Sequence, residues 1–243
     1  MAYNSSIEWT ESSWNPVTGC TKISEGCKNC YAERMALRLR AMRQKNYIDG
    51  FNLSVHEEMF NLPLKWKKPQ RIFVNSMSDL FHEELPLKDI QKIFEIMKAS
   101  YWHTFQVLTK RSHILLEYAK YLEWADNIWM GVTVENQKHV KRIDDLRKTG
   151  AKIKFISFEP LLSGINNFNL ESINWVIAGG ESGPGARPVV KIWIVEIRDK
   201  CIERNVPFFF KQWGGTRKKR NGRLIDNREW SEMPVFFNND FKN

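Results

Sequence analysis

The strongest constraint on the fold is a rhythm. Short apolar, β-branched and aromatic runs alternate with amphipathic segments along most of the chain: RIFVNS at 71, TFQVLT at 104, IWMGVTV at 128, KIKFISFE at 152, WVIAGG at 175 and VPFFFKQW at 206. Near-continuous apolar runs of this length belong to strands covered on both faces, the situation in a parallel sheet. Their starts are about 22 to 33 residues apart, which leaves room for one crossover helix each. The clearest helix is LKDIQKIFEIMKAS, where Ile90, Ile93, Phe94 and Met97 mark one face. HILLEYAKYLEW, QKHVKRIDDLRK and VKIWIVEIRDKC are further candidates. The pattern predicts an α/β fold, a partial or complete (β/α) TIM-like barrel of about six to seven parallel strands, with a basic C-terminal extension.

A chain of 243 residues fits one such domain. The expected division is a barrel over 1–215, with a cysteine loop at 14–34 and an insertion at 45–70, and a basic extension over 216–243 packed on the same domain. At the carboxyl end of each run the apolar sequence gives way to polar residues: Asn75, Ser76 and Asp79; Thr109, Lys110 and Arg111; Thr133, Glu135 and Asn136; Glu159; Glu181 and Ser182; Lys211 and Gln212. In parallel α/β folds this edge is the functional face, so these groups are expected to line a mouth. Asp79 and Ser182 have a plainer reading as helix caps. The turn GGESGPGAR could cradle an anion on backbone N–H groups, with Arg187 adding charge, although its glycines match neither phosphate-binding fingerprint.

Cys20, Cys27 and Cys30 form the one dense group of soft metal ligands, in the segment WNPVTGCTKISEGCKNCYAER. Three thiolates make an incomplete tetrahedral set and leave a coordination position open. Gly19 and Gly26 each precede a cysteine and permit the positive-φ backbone that wraps thiolates around a compact centre. A [4Fe-4S] cluster with one free iron and a zinc site completed by a remote ligand both remain open; His82, in SDLFHEELP, is the histidine nearest the rim and more simply a surface or helix-start residue. Cys201 falls on one helical face with Ile194 and Ile197 and reads as a buried apolar residue.

The 37 Lys plus Arg against 28 Asp plus Glu give a net charge of +9, which suits a polyanionic partner. Two basic runs, LKWKKPQR at 64 to 71 and TRKKRNGR at 216 to 223, each stand beside tryptophan, which permits phosphate contact with base stacking; each also reads as a solvated loop. No apolar stretch is long enough to span a bilayer and the start lacks a secretory signal, so a cytoplasmic location with no membrane association is expected.

NPVTGC followed by GCKNCYAER resembles the cluster loop of radical S-adenosylmethionine (radical SAM) enzymes related to spore photoproduct lyase, with six residues between the first two cysteines where that group has three. SMSDLF, LTKR and GVTVEN resemble later strand-end motifs of the same group. WNPVTGC, VNSMSDLFHE, VLTKR, FISFEPLL, VIAGGESGPGARP and PFFFKQWG together resemble a phage-associated family with a three-cysteine motif, over nearly the whole chain. The resemblance implies a [4Fe-4S] cluster on Cys20, Cys27 and Cys30, with S-adenosylmethionine on the open iron. It matches Lys110 and Thr133 to strand-end residues that contact S-adenosylmethionine; Ser76, Glu135 and Glu159 are expected as further cofactor contacts from their position at the strand ends alone. Tyr31 matches the tyrosine after the last cysteine, and Tyr31 and Asp79 are the expected catalytic residues. Glu181, Ser182, Arg187, Lys211 and Gln212 are the expected substrate contacts. GGE at 179 to 181 resembles the motif that holds the amino group of S-adenosylmethionine, but it follows a late strand and that role is not carried over.

The activity so implied is cleavage of S-adenosylmethionine to a 5′-deoxyadenosyl radical, with an electron donor such as flavodoxin or ferredoxin and with room for a partner protein encoded nearby; with the basic charge it favours DNA or tRNA as substrate and leaves a peptide or small molecule open. Two other classes compete: a non-catalytic nucleic-acid-binding protein with structural zinc or an inert Fe-S site, and a hydrolase using Asp79, Glu135 and Glu159 with a divalent metal.

Overall fold

The computed structural model describes residues 2–3, 5 and 7–235, with side chains left aside at Ala2, Tyr3, Lys218 and Lys219. Seven strands run parallel in sequence order: β1 (Ser12–Trp14), β2 (Arg71–Val74), β3 (Thr104–Thr109), β4 (Ile128–Thr133), β5 (Ile153–Phe158), β6 (Trp175–Gly179) and β7 (Phe208–Gln212). The sheet is open, because β1 and β7 do not pair. Each edge is instead covered by an antiparallel segment, Ala2–Tyr3 along β1 and residues 230–232 along β7. The result is a half-barrel, the partial form of the architecture expected from the sequence. β1 is the strand that the apolar runs did not reveal: it has only three residues, one of them apolar.

Helices α1 (Tyr31–Ala41), α2 (Leu87–Ala99), α3 (Ser112–Tyr118), α4 (Lys141–Arg147) and α5 (Lys191–Glu203) supply most of the crossovers. α2 buries Ile90, Ile93, Phe94 and Met97, as the 3.6-residue period requires. α5 buries Ile194, Ile197 and Cys201. The helix-facing layer takes one side chain in two from each strand, for example Ile72, Val74, Phe105, Val107, Met130 and Val132. The alternate residues point inward and form a second, aromatic layer of Phe73, Trp129, Phe155, Trp175, Ile177 and Phe209. Trp9, ahead of β1, plugs this layer, with ring centroids 4.7 Å from Phe73 and 6.1 Å from Trp175. The interior is therefore filled and mostly apolar below, with polar side chains gathering at the carboxyl ends.

The insertion at 45–70 folds as short 3-10 turns around a two-residue strand, Ser54–Val55, that pairs with Val17–Thr18 of the cysteine loop. Beyond β7 the chain turns through Leu224–Ile225 and Arg228–Glu229 and returns to β7, where Phe210 donates its amide to Trp230. Residues 236–243 of the expected extension lie outside the described residues. Among the described residues, no helix is long and apolar enough to cross a membrane.

Gly131 shows how tightly the aromatic layer is packed. A Cβ there would stand 2.4 Å from the Phe155 ring, in β5. Gly131→Ala must displace that ring, and overpacking of this kind costs about 1–3 kcal/mol. The expected result is a lower urea midpoint with an unchanged slope; an unaltered midpoint would mean that the ring is free to move.

Candidate active site

Because the strands are parallel and successive, the polar residues that follow them gather on one edge. The cysteine loop spans that edge, leaving β1 at Asn15 and ending at α1. Gly19 takes φ +82° where a Cβ would lie 2.0 Å from the carbonyl oxygen of Asn52, so both handedness and space require glycine. Gly26 is glycine for another reason. Its φ is not in the left-handed region; a Cβ would instead meet the Glu135 carboxylate at 2.5 Å.

Two buried charged residues grip the six residues between Cys20 and Cys27. Arg111, after β3, is 1% exposed. Its guanidinium donates to Thr21 O at 3.2 Å, Thr21 Oγ1 at 2.8 Å and Cys20 Sγ at 3.4 Å. Its counter-charges are Asp79 at 3.3 Å and Glu83 at 2.7 Å. Asp79 is filled by further donors: Thr109 Oγ1 at 2.6 Å, the Phe81 amide at 3.0 Å and the Lys110 amide at 3.1 Å. Glu135, after β4, is the second grip. It accepts from Ser24 Oγ at 2.5 Å and Arg142 Nη1 at 2.6 Å, with Lys110 Nζ at 4.0 Å.

His82 is buried where a surface position was expected. Its Nδ1 accepts the Glu84 amide at 3.2 Å and its Nε2 meets Thr21 Oγ1 at 3.0 Å, so both ring nitrogens are engaged and burial holds its pKa down. It braces the loop and is not turned to a metal.

The thiols are free and half-buried. Burial, then the Asp79 charge, pushes Cys20 up to about 12 against the opposing pull of Arg111. Burial also acts on Cys27, but the Lys110 ammonium and hydrogen bonds from the loop outweigh it and leave that thiol below its ordinary value. Among the described residues no three Cys, His, Asp or Glu side chains converge as ligands of one metal ion. The donor set is three thiols on one loop, with an N–H donor on Cys20 and an ammonium beside Cys27, which fits a thiolate-held centre, Fe-S or zinc.

The far side of the mouth carries the other expected residues. Glu181 is 5% exposed and fully engaged, by the Arg187 side chain at 2.5 and 2.9 Å and by Asn29 Nδ2 at 2.9 Å. Arg34 of α1 donates to Ser182 O and Pro184 O, both at 3.1 Å, which ties the glycine-rich turn to the cysteine loop. Lys211 Nζ holds Glu159 at 2.7 and 3.0 Å, with Gln212 Nε2 at 3.5 Å. Tyr31 donates to Ser76 O, and Ser76 Oγ donates to Asn15 at 3.1 Å. Thr133 is buried at the end of β4 and its carbonyl accepts Arg142 at 2.7 Å. Sequence reasoning did not single out Asn29, Ser24, Arg142 or Arg34; each acts from a loop or helix, and its partner is more than a hundred residues away or on a neighbouring element.

A tryptophan expected as a stacking platform is corrected. Trp66 is 7% exposed, within the core, and receives the Trp102 indole on its carbonyl at 2.7 Å. Its basic run leads into β2 and so lies at the amino end of the sheet, away from the mouth.

Fold and site together define an open (β/α) half-barrel whose mouth carries a clamped three-cysteine loop. The chain belongs to the family described as "Protein of unknown function (DUF5131)", whose model matches residues 4–234. Among solved structures it is similar to spore photoproduct lyase complexed with dinucleoside spore photoproduct, at 14% identity over 76% of this chain and 59% of that one, with a TM-score of 0.45. A double mutant of spore photoproduct lyase with bound AdoMet and the same photoproduct matches at 13% identity, over 77% of this chain and 60% of that one, with a TM-score of 0.45. The chain thus spans less than two thirds of the length of those structures. No curated protein matches it.

Removing Arg111 strands the buried Asp79. Arg111→Met is expected to destabilise the protein by roughly 3–5 kcal/mol and to speed amide exchange across residues 19–27, with Arg111→Lys intermediate. Unchanged exchange in that loop would show that the guanidinium does not hold it.

A second expectation concerns acid. Burial favours the neutral Glu181, yet the bonds from Arg187 and Asn29 win and hold its pKa at about 2, below the ordinary 4.5. Its contribution is complete above the unfolded-state value and is lost as pH falls through the folded one. The stability gap between wild type and Glu181→Gln should therefore shrink between pH 4.5 and 2, by up to about 1.4 kcal/mol per pH unit. A gap independent of pH in urea melts would contradict this.

Proposed function

We propose that the chain is a radical SAM enzyme acting on a nucleic acid. The observation that carries the reading is the placement of Cys20, Cys27 and Cys30, in a segment that resembles radical SAM cluster loops, across the carboxyl-end mouth of a half-barrel. Cys20, Cys27 and Cys30 would hold a [4Fe-4S] cluster. With S-adenosylmethionine bound and one electron supplied by an external donor such as flavodoxin or ferredoxin, such a centre would give methionine and a 5′-deoxyadenosyl radical able to take hydrogen from a substrate.

The chain's own residues then have distinct tasks. Arg111 and Glu135 hold the wide loop so that its thiols stay at the mouth, which lowers the entropy lost on cluster binding. Lys110, beside Cys27 and Glu135, would pair with a carboxylate or ribose oxygen of S-adenosylmethionine, with Ser76, Thr133 and Glu159 as further contacts. Tyr31, 48% exposed at the start of α1, relays hydrogen or packs on the adenosine. Asp79, expected as a catalytic group, has its carboxylate occupied and acts by fixing Arg111 and the Lys110 backbone. The aromatic floor excludes water beneath the reacting groups. Glu181, Ser182, Arg187, Lys211 and Gln212 form the substrate side. The net charge of +9 favours DNA or tRNA, and a base must leave its stack to enter a concave mouth.

Anaerobic purification followed by iron, sulfide and zinc analysis tests the assignment. The expected result is a brown protein that, once reduced, converts S-adenosylmethionine to methionine and 5′-deoxyadenosine, with colour and turnover both lost in the Cys20→Ala/Cys27→Ala/Cys30→Ala variant. Zinc without iron would support a structural site in a nucleic-acid-binding protein instead, and activity in cluster-free protein would support a hydrolase.

A further inference from the structure

The two basic runs lie at opposite ends of the half-barrel. Lys65, Lys67 and Lys68 are exposed but precede β2 at the amino end, and the tryptophan among them is buried. The second run follows β7 and therefore starts at the mouth. There Arg217 and Arg220 are exposed, whereas Arg223 is committed to Ser231 Oγ at 2.7 Å and to the Phe209 ring.

Between this run and the glycine-rich turn after β6 is an open cleft of about 470 Å³, lined by Arg187, Val189, Trp213, Thr216 and Asn221 among others. Its walls are tied by backbone bonds, Gly215 N to Glu181 O at 2.7 Å and Gly183 N to Gly215 O at 3.1 Å. Gly183, Gly185, Gly214 and Gly215 all take positive φ, which lets the two turns approach closely. Trp213 is partly buried against the core and fixed, with one part of its ring facing the cleft: its indole donates to Leu224 O at 2.9 Å and its ring lies 4.8 Å from Phe210. Asn221 holds Gly214 O at 2.8 Å. The cleft thus offers an aromatic surface, neutral polar groups and the Glu181-paired Arg187, while the exposed Arg217 and Arg220 flank its lining residues Thr216 and Asn221 in the chain.

We propose that this rim binds a single-stranded nucleic-acid segment beside the target nucleotide, with Arg217 and Arg220 on its phosphates and one flanking base against Trp213. The inference rests on the nucleic-acid reading above and adds to it a direction of approach and a preference for unpaired strands. A duplex cannot insert a base into a cleft of this size without unpairing it.

The test is anisotropy of short labelled single-stranded DNA, single-stranded RNA and duplex DNA on the full chain over a salt series. Arg217→Glu/Arg220→Glu is compared with Lys67→Glu/Lys68→Glu; both pairs are exposed and both change the net charge equally. The rim variant is expected to bind single strands at least about tenfold more weakly and to lose about 1.4 from the log–log salt slope, while the amino-end variant changes affinity less than about twofold. Equal losses in the two variants, or tighter binding of duplex than of single strands by wild type, would overturn the rim assignment. Wild type that binds none of the three would remove the nucleic-acid reading itself; the DNA and RNA arms identify which strand the site takes.

Discussion

A guanidinium with 1% exposure has to be surrounded by acceptors, and that requirement organises the mouth of this half-barrel. Arg111 draws Asp79 from the end of β2, Glu83 from the following turn, and Thr21 and Cys20 from the loop after β1. Asp79 in turn holds Thr109 and the Lys110 amide. The ends of three strands are thereby fixed relative to one thiol. Glu135 repeats the arrangement at the other side of the loop with Arg142, Ser24 and the space left by Gly26. The six residues between Cys20 and Cys27 are thus held at two points, Thr21 by Arg111 and Ser24 by Glu135.

The parts of the molecule below that network are simpler. Alternation along each strand sends one set of side chains to the helices and the other to the aromatic layer, and Trp9 closes the bottom. Polar groups are few at this depth; one is Gln106, whose amide donates to Trp9 O at 3.3 Å. Polar side chains gather instead toward the carboxyl ends, at Thr109, Thr133 and Gln212.

This division explains how much was legible beforehand. Strands such as Ile128–Thr133, buried at every position, and α2, with its regular apolar stripe, follow from local patterns that long-range contacts do not override. The polar strand ends were legible as a group because parallel order alone places them together. Their pairings were not, since the bond from Arg111 to Cys20 joins residues 91 apart and that from Asn29 to Glu181 joins residues 152 apart. Trp66 and His82 misled for one reason: each stands among charged neighbours in the sequence while its own side chain turns inward. β1 escaped because three residues are too few to show a period.

The uncoupled ends of the sheet have one more effect. β1 and β7 each take a short antiparallel neighbour in place of each other, so both hydrogen-bonding margins are satisfied without ring closure. A closed ring admits only what can be dropped into its top. A crescent with finished margins leaves its rim unclosed between β1 and β7 while offering neither edge to a neighbouring sheet.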